Sequence, residues 1–113
     1  MEVYFDSKKL QKICNSPNLL QAEYGVQNAK KIMLRLNEMH SVENLSYISV
    51  LPPPRRHQLT GDRGGQFAVD IKHPFRIVFV PCQENLAKLE DGGIDISKVT
   101  QIKIIWIGDY HGK

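Results

Sequence analysis

The spacing of the apolar residues changes once along this chain, at Pro52-Pro53-Pro54. Before these prolines apolar residues recur every three or four positions, as in helices, and after them they alternate with polar residues, as in strands. Three consecutive prolines cannot lie inside a helix or a central strand because each lacks a backbone N–H. We therefore predict an α+β fold in which an antiparallel sheet packs on amino-terminal helices.

Helix signals fill most of the segment before the prolines. Val3-Tyr4-Phe5 is predicted to be an edge strand, and Ser7 to cap a short helix. A second helix is predicted for residues 18–24, ended by Gly25, and a longer one for residues 26–40. The apolar face predicted for the longer helix consists of Val26, Ala29, Ile32, Met33, Leu36 and Met39. Its predicted polar face consists of Asn28, Lys31, Arg35 and Glu38.

Strand signals follow the prolines, at residues 56–59, 66–72, 75–80 and 102–107. The second of these strands alternates cleanly, so Phe67, Val69 and Ile71 are predicted to face the core. Ala68, Asp70 and Lys72 are predicted to face outward. Glycine-rich residues 61–65 and His73-Pro74 supply the turns between strands, and residues 81–95 form a polar loop.

Length and composition limit the classes of protein. With 113 residues, 42% of them hydrophobic and 24% charged, residues 1–113 are expected to form one folded domain. No apolar run reaches the roughly 18–20 residues of a membrane span, and the amino terminus does not resemble a signal peptide. The two cysteines make neither a disulfide framework nor a structural zinc site. A cytoplasmic protein without a metal is the simplest interpretation.

Two polar clusters are candidates for chemistry. One combines Arg55-Arg56-His57 with Arg76, and the other is Asp109-Tyr110-His111. Taken alone, each is more often a solvated strand surface or a polar tail. Together they supply imidazoles, a phenol, a carboxylate and guanidinium groups, which suffice for phosphodiester cleavage without a metal. RNA carries its own nucleophile, the ribose 2′-hydroxyl, so no serine or cysteine nucleophile is needed.

Three segments, in matching order, resemble the HigB-type toxins of the RelE/ParE superfamily. Residues 57–67 match the pattern His-x-Leu-x-Gly-Asp-Arg-x-Gly-x-Trp/Phe, residues 75–79 match an aromatic-Arg-Ile-x-Phe strand, and residues 109–111 match a carboxyl-terminal Asp-Tyr-His. The close resemblance covers about half of the chain. It implies amino-terminal helices packed on a twisted antiparallel sheet, as in a small microbial ribonuclease.

The resemblance also implies an activity and partners. It implies a ribosome-dependent endoribonuclease that cuts mRNA in the A site and needs no cofactor. The implied partners are the ribosome with its mRNA and a HigA-type helix-turn-helix antitoxin. The toxin would contact operator DNA only through this antitoxin. No membrane partner is expected.

Residue by residue, the resemblance assigns catalytic roles to His57, Arg76, Asp109, Tyr110 and His111, with His111 as the favoured general base. RNA-binding residues are expected in residues 55–76, because this segment contains five Lys and Arg residues and only two Asp residues. The candidates are Arg55, Arg56, Arg63 and Lys72.

Two other functions remain open on the sequence alone. A ParE-like toxin would share the fold and target gyrase, although such chains usually lack this set of His and Tyr residues. A catalytically degenerate module would only bind its antitoxin. Thr60, which stands where many HigB relatives carry lysine, is the feature that favours the degenerate module.

Overall fold

Two helices and five strands make up residues 1–109, the part of the chain that this computed structural model describes. Tyr110 and His111 lie outside the described residues. The helices are α1 (Lys8–Cys14) and α2 (Pro17–Ser41). The strands are β1 (Glu2–Phe5), β2 (His57–Gln58), β3 (Phe67–Asp70), β4 (Arg76–Pro81) and β5 (Gln101–Gly108). Short 3-10 turns occupy Leu45–Tyr47, Gly61–Arg63 and Ile96–Lys98.

Local signals set the helix limits as predicted. The hydroxyl of Ser7 accepts a hydrogen bond from the N–H of Leu10 at 3.0 Å, and Ser16 caps α2 in the same way. Gly25 lies inside α2 with a φ of 85°, a left-handed value that favours glycine. It therefore divides α2 into the two helical stretches that the sequence predicts.

The sheet has the strand order β1-β5-β4-β3-β2. Strands β2 to β5 pair antiparallel, as predicted, and β1 is the expected edge strand. However, β1 runs parallel to β5, from which both helices and the other three strands separate it along the chain. The fully antiparallel sheet expected from the sequence is therefore a mostly antiparallel one.

A β-bulge interrupts the pairing of β4 with β5. Trp106 lies opposite Val78 and Ile104 lies opposite Phe79, so Ile105 is an extra residue in β5. The alternation of a regular strand is broken here. As a result, Ile105 and Trp106 both pack against the same side of the sheet.

The main core lies between the helices and one face of the sheet. Phe67 and Phe79 are fully buried and stack with their ring centroids 5.9 Å apart. Each such side chain contributes about 1.5–3 kcal/mol on burial. The helices contribute Leu20, Ile32 and Met39 to this core.

Ala68 faces away from the main core, as predicted, but it is fully buried there in a second apolar cluster with Leu59 and Val78. Three residues of α2 contradict the faces predicted for the longer helix. Val26 is 54% exposed, although it was assigned to the apolar face of the longer helix. Conversely, Asn28 and Arg35 of its predicted polar face are buried, with 6% and 3% of their surface exposed.

Buried Asn28 and Arg35 both hold the end of β3 against α2. The side-chain oxygen of Asn28 accepts a hydrogen bond from the N–H of Lys72 at 3.0 Å. Arg35 donates from Nε to the carbonyl of Asp70 at 3.0 Å and from Nη1 to the carboxylate of Glu38 at 2.9 Å. Polar groups tolerate burial when they are hydrogen-bonded in this way.

No helix among residues 1–109 is long and apolar enough to cross a membrane.

Candidate active site

The face of the sheet away from the main core carries a row of four residues that begins with His57. We call this the outer face. Directly paired residues of neighbouring strands share a face, so the row is read from the register as His57, Ala68, Val78 and Trp106. It places an imidazole at one end and an indole at the other, with small apolar side chains between them.

A second row lies beside the first on the outer face, two residues further along β3. It consists of Asp70, Arg76 and Gly108. Gly108 ends β5, and Asp109, which follows it, is half-buried. The tail that contains Tyr110 and His111 therefore starts next to the residue paired with Arg76, while both tail residues lie outside the described part of the chain.

His57 is held in one orientation and one tautomer. Its Nδ1 lies 2.8 Å from the backbone oxygen of Arg55. Since a carbonyl oxygen can only accept, Nδ1 must donate a proton to this bond. In the neutral ring the lone pair then belongs to Nε2, which is the arrangement a general base requires.

Asp70 bridges the two arginines nearest to these rows. Its carboxylate accepts from Arg55, with Nε at 2.5 Å and Nη2 at 3.1 Å, and this hydrogen bonding raises the pKa of Arg55. The Nε atom of Arg76 lies 3.6 Å from Oδ1 of the same carboxylate. Only 12% of the Arg76 side chain is exposed, so its direction is restricted. Asp70 was not among the residues predicted for the site.

Arg63 and Trp106 form a cation–π pair on the outer face. The guanidinium carbon of Arg63 lies 5.5 Å from the centroid of the indole. Arg63 also lines a shallow depression of about 250 Å³ together with His57, Gln58, Leu59 and Thr60. Trp106 was missed as a site residue, because the bulge that turns it to this face has no sequence signal.

Gly108 provides space for the indole. A Cβ atom on Gly108 would lie 2.8 Å from Cζ2 of Trp106, closer than any ordinary van der Waals contact. The ring therefore lies against the backbone that leads into the tail. A glycine two residues after a tryptophan and directly before a polar tail is the sequence signal for this contact.

Two of the predicted RNA-binding residues, Arg56 and Lys72, lie apart from the two rows of the outer face. Arg56 donates from Nε to the carbonyl of Ile48 at 2.8 Å, and partial burial lowers its pKa. Lys72 is exposed in the β3–β4 turn and lines a different depression, beside Gly25 and His73. Within residues 1–109, no three His, Cys, Asp or Glu side chains come together as a metal site would require.

No family model matches this chain, and no curated protein matches it. A solved structure does: the YoeB/ParE toxin from Agrobacterium tumefaciens has a similar fold, with a TM-score of 0.56 over 96% of this chain and 98% of that chain. The two sequences are 11% identical, so the likeness is one of fold. The helices and the mostly antiparallel sheet described above thus confirm the predicted architecture: the chain has a RelE/ParE-like fold.

Proposed function

We propose that this chain is a HigB-type toxin of a type II toxin–antitoxin module, a ribosome-dependent endoribonuclease that cleaves mRNA in the A site without a cofactor. One observation carries the proposal. His57 with its fixed tautomer and Arg76 with its restricted direction lie in adjacent rows of the outer face, and the Asp109-Tyr110-His111 tail begins where these rows end. The RelE/ParE-like fold and the three matching sequence segments support it.

In the proposed reaction, a base removes the proton of a ribose 2′-hydroxyl, and O2′ attacks the adjacent phosphorus. The P–O5′ bond breaks, and an acid protonates O5′ as it leaves. The products are a 2′,3′-cyclic phosphate and a 5′-hydroxyl. His111 is the favoured base, and His57 and Tyr110 are the other groups available for proton transfer. Arg76 stabilises the negative charge that builds up on the phosphoryl oxygens.

The ribosome supplies the positioning that a domain of this size lacks. A small open face can hold few groups of a flexible RNA strand, and much of the rate gain of such a reaction comes from orientation. Arg55, Arg56, Arg63 and Lys72 are proposed to contact RNA phosphates, so binding should weaken as salt is added. The proposed setting is the cytoplasm, with a HigA-type antitoxin as the protein partner.

The decisive experiment follows mRNA during translation in a purified system. Wild-type protein should cut at ribosome-occupied codons and leave 2′,3′-cyclic phosphate ends, while His57→Gln and His111→Gln should each lower the rate by about 100-fold or more. His40→Gln, an exposed histidine at the end of α2, is the matched control and should cut normally.

Intact mRNA with the wild-type chain would refute the proposal. Gyrase-dependent DNA breakage in its place would favour a ParE-like toxin. A chain that binds its antitoxin and affects neither RNA nor DNA would favour the degenerate module.

A further inference from the structure

Asp70 contacts four neighbours through all of its polar groups. Its backbone N–H donates to the carbonyl of Pro54 at 2.8 Å, and its carbonyl accepts from Arg35 at 3.0 Å. Its carboxylate meets Arg55 and Arg76, as described above. Asp70 therefore links α2, the proline segment and the two arginines of the outer face, Arg55 and Arg76.

The backbone of Asp70 is held firmly from two sides. Arg35 reaches it from the core side of α2 and is itself nearly inaccessible to solvent. Pro54, the last of the three prolines, is also buried. Buried, satisfied hydrogen bonds of this kind fix the position of a strand end. The carboxylate of Asp70 is therefore presented at a defined place on the outer face.

Arg55 needs such an anchor. It has a φ of 46°, a left-handed value that is unfavourable for a residue with a side chain. Strained backbone of this kind persists where surrounding contacts hold it, and it is common at functional sites. The two hydrogen bonds to Asp70 supply the holding contact. Arg55 in turn presents the carbonyl that fixes Nδ1 of His57.

We propose that Asp70 is a positioning residue for the proposed reaction. Through its ion pair it orients Arg76 for the scissile phosphate, and through Arg55 it orients His57. A carboxylate suits both tasks, because it holds guanidinium groups in place before the anionic substrate arrives, so that little reorganisation remains for the chemical step. The inference rests on the proposed function, and it predicts an order in the free protein that can be measured without RNA.

The kinetic test uses Asp70→Asn, which keeps the shape and removes the charge. We expect kcat for ribosome-dependent cleavage to fall by about 10–100-fold, the range typical of residues that orient a reacting group, while KM changes less than about threefold. Asp91→Asn, in an exposed loop, is the charge-matched control and should leave both constants unchanged. An unchanged kcat in Asp70→Asn would overturn the proposal.

A mutant cycle separates positioning from general damage. If Asp70 acts partly through Arg76, the loss caused by Asp70→Asn should be at least about threefold smaller in an Arg76→Ala background than in the wild type. Equal losses in the two backgrounds would mean that Asp70 does not act through Arg76, and would overturn that part of the mechanism.

NMR of the free protein provides the arm that does not depend on cleavage. In the wild type and in Asp91→Asn, the Nε–H proton of Arg55 and the Nδ1–H proton of His57 should be observable in slow exchange, because both are hydrogen-bonded. Asp70→Asn should lose them. Their persistence in folded Asp70→Asn protein would overturn the inference.

A second variant covers the case in which Asp70→Asn does not fold. Arg55→Met removes the Arg55 signal together with its side chain and leaves Asp70 paired with Arg76, so the His57 signal is the one to follow. It should be lost, and its retention would overturn the link from Asp70 to His57. Intact mRNA with the wild-type chain would refute the proposed function, and the NMR result would still decide whether Asp70 orders these groups.

Discussion

Gly108→Ala should destabilise this protein only as long as residue 106 is tryptophan. The added Cβ would lie 2.8 Å from Cζ2, 3.1 Å from Cε2 and 3.3 Å from Cη2 of the Trp106 ring. Carbon atoms in favourable contact are about 3.5–4.0 Å apart, so the ring must retreat by roughly 0.7 Å or more. Because Arg63 lies over the same ring, the ring cannot shift without disturbing that cation–π contact.

The expected cost follows from this overlap. Adding a methyl group to a packed site costs about 1–3 kcal/mol. Trp106 is only partly buried and can yield toward solvent, so the lower half of that range, about 1–2 kcal/mol, is expected. Gly108 does not have a positive φ, so alanine meets no backbone strain there. Without the indole, the change should be neutral or stabilising by about 0.5 kcal/mol, because glycine is unfavourable in a strand.

Urea unfolding of the wild type, Gly108→Ala, Trp106→Leu and the double variant completes a mutant cycle. The free energy of unfolding should fall on Gly108→Ala in the wild-type background and should stay level or rise in the Trp106→Leu background. A similar loss in both backgrounds would refute the account of the ring contact. Since the tail follows Gly108 directly, Gly108→Ala should also reduce RNA cleavage if the proposed function is correct.

Three further predictions concern stability, pH and rate. Arg35→Met should lower the free energy of unfolding by about 1–3 kcal/mol, because it leaves the partly buried carbonyl of Asp70 and the carboxylate of Glu38 without their donor. Exposed Lys31→Met should change it little. Burial raises the pKa of the Cys14 thiol from 9.0 to about 11, so the thiol loses its proton more readily in the unfolded chain than in the folded one. The free energy of unfolding should therefore fall as the pH rises from 9 toward 11. If Cys14→Ala showed the same dependence of stability on pH over this range, the reasoning would be contradicted. Thr60→Lys adds a cation to the depression that contains His57 and should raise the cleavage rate about 3–10-fold, with exposed Thr100→Lys as the control; an unchanged rate would show that this position does not reach the phosphate.

Much of the fold could be predicted because its signals are local. Ser7 and Gly25 act on their own helices through a hydrogen bond and a backbone angle, and neither effect depends on what packs nearby. Alternation over residues 66–72 likewise reflects the geometry of a strand, so the core positions Phe67, Val69 and Ile71 were identified correctly. The order of helices and strands followed from these signals.

Burial depends on distant segments, so it was predicted less well. The polar face of α2 was assigned from its composition, yet Arg35 is buried because the end of β3 lies over it and supplies a carbonyl. Ala68 faces outward as expected, yet side chains from β5 cover it. Periodicity tells which residues share a face, whereas what covers the face is decided by pairing between segments far apart in the chain.

The candidate site was likewise predicted only in part. The sequence alone indicated His57, Arg76 and the tail as a set, because their residue types and order resemble a known pattern. Only the tertiary structure decided that Asp70 bridges Arg55 and Arg76, that a bulge turns Trp106 onto the outer face, and that β1 runs parallel to β5. Each of these depends on the register between strands, which is set by long-range packing and leaves no mark in any short stretch of sequence.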